Sequence, residues 1–352
     1  MRCPRFRPLI AAACVLAVLT ACGRGRAATA EPSDEQAAES LGGGAGAIPP
    51  AELYGATAAE NVRAVPVELG VRDLPAAWDG VKIAAISDLQ LGLWRDNAHV
   101  AETAIRAALA NDADVIALLG GYTARSDDEL ATLARVLAPL QGRAAVAVLS
   151  QKDTRTDSTE ARTVRALSDA GVRVLRNDRL QLTRGGDTLF IAGLSPDFVT
   201  FPDWRRAEIF SVLGGAPSTP LLLTYTPTTI YAVPRDRFAA VLAGNTNCGR
   251  VDVPGTPELS TLRNETFANL EIDNTGRAFR IDGNALLVTC GVGYSFVPVR
   301  YGAPAEVLLL TLRRVSETPT EPVMMDTTGL DSLLRRPSTA TDSGAARDTG
   351  GE

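Results

Sequence analysis

Residues 86–93 read Ile-Ser-Asp-Leu-Gln-Leu-Gly-Leu. They continue the apolar run Val81-Lys82-Ile83-Ala84-Ala85, so a buried strand is expected to end at Asp88, with a turn at Gly92. An aspartate at the carboxyl end of a strand, followed two residues later by a histidine, is a common start to a metal site. Here the aspartate is present and Gln90 stands where the histidine would be.

Working outward from this strand, apolar runs alternate with helical periodicity. The stretch 81–87 predicts a strand, 99–111 an amphipathic helix and 114–120 a buried strand. A helix over 127–140, a strand over 144–150 and a helix over 160–171 follow, the last stopped by Gly171. The strands are continuously apolar rather than alternating, which predicts sheets covered on both faces and joined by crossover helices. After Gly171 the chain becomes richer in short strands, at 172–177, 179–185, 187–195, 220–227, 238–245, 284–293 and 305–314. An α/β first half and a strand-rich second half suggest two packed sheets flanked by helices.

The chain has 352 residues, 45% hydrophobic and 22% charged, enough for one substantial core of about 250 residues with tails. Its net charge of −6, without a dense basic block, argues against a nucleic-acid partner. A single histidine, His99, can hardly build a histidine-rich two-metal centre. It lies off every motif and is read as a surface or packing residue.

The amino terminus reads as a targeting segment, with a basic region at Arg2, Arg5 and Arg7 and an apolar region from Leu9 to Ala21 that is too short to span a bilayer. It ends in Leu19-Thr20-Ala21-Cys22, which resembles a bacterial lipobox. That resemblance implies cleavage before Cys22, acylation of that cysteine and a mature protein anchored to the cell envelope, on its periplasmic or outer face. The expected organisation is a signal peptide at 1–21, a flexible tether at 22–64, one domain at 65–314 and a disordered tail at 315–352. Once Cys3 and Cys14 leave with the signal and Cys22 carries lipid, Cys248 and Cys290 remain, as a disulfide or as two buried thiols.

In open α/β sheets, sites form at the carboxyl ends of strands. Those ends carry Asp88 and Gln90, Gly120-Gly121, Ser150-Gln151-Lys152-Asp153, Thr224-Tyr225-Thr226-Pro227 and Gly244-Asn245-Thr246-Asn247-Cys248-Gly249-Arg250. The order and spacing resemble the calcineurin-like metallophosphoesterases, in particular their membrane-associated bacterial branch. That family reads SDLHLG, GD, GNHD, a lone histidine before proline, and GHTHGGQ. A GxG segment and a PVR motif follow, matched here by Gly291-Val292-Gly293 after Cys290 and by Pro298-Val299-Arg300. The stretch Ala170–Asn177 (AGVRVLRN) is also similar, and the resemblance runs from about Val65 to Arg314.

The resemblance implies a four-layer α-β-β-α sandwich of two mixed sheets. In the family, two divalent metals such as Mn, Fe or Zn activate a water against a phosphoester. At the ligand positions this chain has Asp88, Gln90, Gly121, Gln151, Tyr225, Asn245 and Asn247, so Asp88 is the one retained ligand. Lys152 occupies the position of the GNHD histidine, with Asp153 beside it as that motif's aspartate, a vestigial catalytic pair. Amides are weak ligands for these metals, and Gly121 offers no bridging carboxylate. No cofactor is therefore expected. An ion pair between Asp88 and Lys152 would compensate the stranded carboxylate.

The leading expectation is a lipid-anchored protein with the phosphoesterase fold that binds rather than hydrolyses. Its partner would be an envelope protein, or a small anion held by Lys152, Arg250 and Arg300. An active hydrolase with an altered metal site, working on envelope phosphoesters, is the alternative, and a scaffold lipoprotein with an unused cleft is a third.

Overall fold

The computed structural model describes residues 62–123, 129–215, 219–249, 278–295, 300, 304–316 and 323–324. The expected signal peptide, Cys22, most of the tether and Arg250 lie outside the described residues, as do Pro298 and Val299.

Alternation along each strand builds the layers. In β2 (Lys82–Ile86), Ile83 and Ala85 point into one apolar cluster, while Ala84 and Ile86 point into another. β3 (Val115–Leu118) and β4 (Ala144–Ala147) divide their side chains in the same way. The first cluster is sealed from the opposite side by Leu189 and Ile191 of β7 (Asp187–Gly193), Leu221 and Leu223 of β8 (Leu221–Leu223), Leu242 of β9 (Ala240–Ala243) and Leu287 of β11 (Asn284–Val288). It is the core between two sheets. The second cluster is covered by α1 (Asn97–Ala110), α2 (Leu130–Leu137) and α3 (Asp157–Asp169). The outward residues of the second sheet, such as Ala192, Leu222 and Val241, meet Ile209, Phe210 and Leu213 of α4 (Asp203–Leu213). The result is α-β-β-α, the four-layer sandwich expected.

The remaining strands are β1 (Arg63–Arg72), β5 (Arg173–Val174), β6 (Asp178–Arg184), β10 (Ala278–Ile281), β12 (Glu306–Val315) and β13 (Val323–Met324). Both sheets are mixed. The first runs β13-β1-β12-β2-β3-β4-β5 and the second β10-β11-β9-β8-β7-β6. β1 pairs parallel with β12, and β12 antiparallel with β2. From β2 to β5, and from β7 through β8 and β9 to β11, the pairing is parallel. The carboxyl ends of these strands therefore gather the motif residues on one rim.

The stop at Gly171 has the expected form. Its φ is +81°, its N–H donates to the Ser168 carbonyl, and the Val172 N–H donates to that of Leu167, the paired bonds of a glycine-capped helix end. At the other end of α3, Thr156 Oγ1 caps the helix by accepting from the Thr159 N–H.

Three elements depart from expectation. β1 begins at Arg63, two residues inside the expected tether. Its alternation of buried and partly exposed residues is the pattern of a strand with one face in the core. α4 carries little helical signal in sequence, because its apolar residues cluster late in the helix, with Trp204 exposed near its start. The expected disordered tail contributes β13, which adds antiparallel to the β1 edge through Val67↔Met324 and Glu68↔Val323.

Candidate functional site

Asp88 follows β2 in the left-handed region, with φ 55°, and is fully buried. Its backbone is fixed from two sides. The Asp88 N–H donates to the Gly120 carbonyl at 2.9 Å, and the Gly293 N–H donates to the Asp88 carbonyl at 2.7 Å. Its carboxylate accepts three neutral donors: Tyr225 Oη on Oδ1 at 2.9 Å, and Ser87 Oγ at 2.6 Å and the Asn245 N–H at 3.0 Å on Oδ2. These donors, and not the expected Lys152, are the described partners of the carboxylate; Lys152 is partly exposed. Three well-placed donors satisfy a buried carboxylate without a cation, because each replaces part of the hydration lost on burial.

The other motif positions converge on the same place. A β-carbon built on Gly121, whose φ is +75°, would sit 3.1 Å from Asp88 Oδ1. One built on Gly291, φ +65°, would lie 3.0 Å from Asp88 Oδ2 and 3.3 Å from Asn247 Oδ1. The Tyr225 ring packs over the preceding glycine, where a β-carbon on Gly120 would meet ring carbon Cδ2 at 3.0 Å. Asp88, Gly121, Tyr225, Asn245 and Asn247 thus come together at the strand ends. Gln151 stands at its edge, exposed, with Nε2 donating to the Pro196 carbonyl at 3.3 Å and to Thr226 Oγ1 at 3.4 Å.

Asp153 has a structural task. It is fully buried and accepts from the N–H groups of Gly121 (2.9 Å), Tyr122 (3.0 Å) and Ser150 (2.8 Å), and from Ser150 Oγ at 2.7 Å. The carboxylate thereby staples the end of β3 to the end of β4. Burial pushes its pKa up, and these hydrogen bonds pull the other way. Burial, with the charge of Asp153 second, also raises the Tyr122 phenol, whose hydroxyl donates to the carbonyls of Val148 (2.7 Å) and Leu118 (3.1 Å).

Arg300, expected to face an anion, points its guanidinium at main-chain carbonyls instead. It donates to Gly293 at 2.7 Å and 3.3 Å, to Cys290 at 3.1 Å and to Pro304 at 3.5 Å, and to Asn247 Oδ1 at 3.2 Å. It clamps the 290–293 turn onto Asp88. The same turn is tied down covalently, because Cys248 and Cys290 form a disulfide with a Cα–Cα distance of 4.7 Å.

A pair of divalent metals does not fit these residues. Among the described residues, no three of His, Cys, Asp and Glu converge. Both Asp88 oxygens already accept hydrogen bonds, and the bridging position is Gly121. One feature of a ligand set remains: Gln90, φ 45° and 3% exposed, has a buried Oε1 with no hydrogen-bond partner. A single neutral oxygen beside one engaged carboxylate is a weak site for a dication.

Ser87 and Ser150 are neighbours of the two buried aspartates to which the motif comparison gives no role. Ser87 directly follows β2 and Ser150 lies shortly after β4, and each supplies a hydroxyl to the buried aspartate near it. Asn97 gives no signal in sequence. Fully buried, it donates to the Gln90 and Tyr294 carbonyls at 2.7 and 2.9 Å and accepts from the Tyr294 N–H at 2.8 Å, fixing the Gln90 turn.

No protein-family model matches the chain, and no curated protein matches it in sequence. Among solved structures it is similar to a 5′-nucleotidase precursor from Thermus thermophilus, at 12% identity and a TM-score of 0.39, covering 66% of this chain and 54% of that one. It is similar to the NAD nucleotidase of Haemophilus influenzae at 11% and 0.38, covering 61% and 51%, so the chain spans about half the length of either nucleotidase. A phosphopantetheinyl hydrolase from Mycobacterium tuberculosis is similar at 15% and 0.33, covering 62% and 91%. At these identities and TM-scores the likeness carries no argument about family, substrate or activity.

Proposed function

We propose that this chain is a pseudo-phosphoesterase of the cell envelope, which keeps the four-layer fold and acts by binding rather than hydrolysis. The observation that supports this best is the hydrogen bond from Tyr225 Oη to Asp88 Oδ1 at 2.9 Å. A hydroxyl from the lone-histidine position occupies the retained carboxylate, and glycine stands in place of the bridging one. Without metals there is no bound water of lowered pKa and no clamp on a phosphoryl group. Among the described residues, no group supplies a substitute. His99 is on α1 beside Glu102, and Ser150 Oγ is held by Asp153.

The sequence around Cys22 supports a lipid anchor, with the folded domain presented at the membrane for an envelope partner or small ligand. No helix among the described residues is long and apolar enough to cross a membrane. Mass spectrometry of the mature amino terminus tests the anchor; an unacylated Cys22 removes it.

Hydrolysis is tested on the purified full-length chain by elemental analysis and a chromogenic phosphodiester with added manganese. The expected result is less metal than stoichiometric and no turnover. Stoichiometric metal with turnover, both lost in Asp88→Ala, would establish the alternative of an active hydrolase in which Gln90 and the asparagines coordinate.

A further inference from the structure

We propose that an open groove beside the Asp88 pocket is a binding site for a neutral saccharide. The groove has a volume of about 400 Å³ and is lined by Arg176, Asn177, Ser195, Asp197 and Phe201. Its size is within the range of small-molecule sites. Arg176 and Asn177 follow β5, and Ser195 to Asp197 follow β7, so the groove opens on the rim that carries the motif residues. It shares none of its lining with the Asp88 pocket.

The walls are held in place before any ligand arrives. Asn177 Nδ2 donates to Ser195 Oγ at 2.9 Å, and the Ser195 N–H donates back to Asn177 Oδ1 at 3.1 Å. The Pro196 carbonyl accepts from Gln151 at 3.3 Å, and the Asp197 carbonyl accepts from the Thr200 N–H at 2.9 Å. The Asn177 and Ser195 side chains and the 196–197 backbone are thus ordered in advance, which lowers the entropy lost on binding.

The free hydrogen-bonding capacity decides the class of ligand. Ser195 Oγ already accepts from Asn177, so what it offers a guest is its O–H. The Asp197 carboxylate is exposed and accepts no described hydrogen bond, so it offers two acceptor oxygens. Arg176 pairs with Glu160 at 2.6 Å through one nitrogen, which leaves its other N–H groups as donors while its charge is balanced. Phe201 is partly exposed, its ring set edge-on to Phe198 with centroids 6.4 Å apart. A phosphate or carboxylate would meet a cation that is already paired and the negative charge of Asp197. A cation would have no use for the Ser195 and Arg176 donors. A neutral sugar uses every group, since its hydroxyls both donate and accept and its C–H face is apolar enough to cover Phe201.

The test is titration of the full-length chain with cellobiose, maltose and N,N′-diacetylchitobiose, followed in amide NMR spectra, with inorganic phosphate as the anionic control. At least one sugar is expected to shift the Ser195 and Phe201 amides saturably, and Asp197→Asn and Phe201→Ala are each expected to weaken it by about tenfold or more. Asp197 is exposed, so its variant keeps the test valid if Phe201→Ala loses stability. No response to any of the three at about 10 mM, or shifts that survive both variants, would overturn the proposal. A response to phosphate alone would overturn it too, by naming an anion site. Metal-dependent turnover through Asp88 would refute the pseudo-phosphoesterase reading and leave the groove's result unaffected.

Discussion

Replacing Tyr225 by phenylalanine isolates the contact between its hydroxyl and the buried Asp88 carboxylate. The ring that packs over Gly120 is kept, and only the hydroxyl that donates to Asp88 Oδ1 is lost. Asp88 would retain Ser87 Oγ and the Asn245 N–H, both on Oδ2, while Oδ1 would be left buried without its donor. A hydrogen bond to a charged group contributes about 1.5–3 kcal/mol, and the stranded oxygen cannot recover hydration in a site with no exposure. The expected loss is about 2 kcal/mol, or roughly 4–8 °C in Tm for a domain of this size. Urea unfolding of the wild type, Tyr225→Phe, Asp88→Asn and the double variant forms a cycle, and the coupling between the two sites should be about 1–2 kcal/mol. A Tyr225→Phe protein within about 0.5 kcal/mol of wild type, with no coupling, would refute the idea that this hydroxyl stabilises the buried carboxylate.

Removing the disulfide with Cys248→Ala and Cys290→Ala, which frees a 42-residue separation, should lower unfolding stability by about 4 kcal/mol in the chain-entropy model; a loss below about 1 kcal/mol would show that Arg300 alone holds the turn. Asp153 has a raised folded pKa, so its contribution is complete below the unfolded carboxylate value of about 3.9 and is lost as pH rises through the folded one. Urea midpoints measured at one ionic strength should therefore show wild type gaining on Asp153→Asn as pH falls from about 7 to about 4, and a constant difference would refute the raised value. Gly121→Asp, which puts a carboxylate where the resemblance implies a bridging one, must adopt a φ of +75° and place its β-carbon 3.1 Å from Asp88 Oδ1. It should cost at least about 1–3 kcal/mol and bind no manganese by calorimetry, whereas tight binding would show that the pocket is poised for metal.

Much of the site was legible because the motif positions depend on short-range order. Apolar runs that stop at Asp88, Gly120 and Ser150 place the ends of β2, β3 and β4, which fall at Ile86, Leu118 and Ala147. That Gln90, Gly121, Tyr225, Asn245 and Asn247 differ from the ligands the resemblance implies is read from residue identity. What each replacement does was not legible. Lys152 is the cation that the motifs set nearest to Asp88, yet the carboxylate is met by a serine next to it in sequence, a tyrosine 137 residues away and a backbone N–H 157 residues away. Arg300 reads as an anion ligand in its motif, and it spans carbonyls of a turn because that turn lies over Asp88.

The sequence by itself determined the alternation of strands and helices, their layering into two sheets flanked by helices, and which residue types stand at the strand ends, since periodicity, caps and residue identity are local properties. Only the tertiary structure decided that Cys248 and Cys290 are bonded, that Asp153 staples two strands and that Asp88 is satisfied by neutral hydrogen-bond donors. Each of these depends on which groups from distant segments come within about 3 Å of one another, and hydrogen bonding falls away steeply beyond that distance.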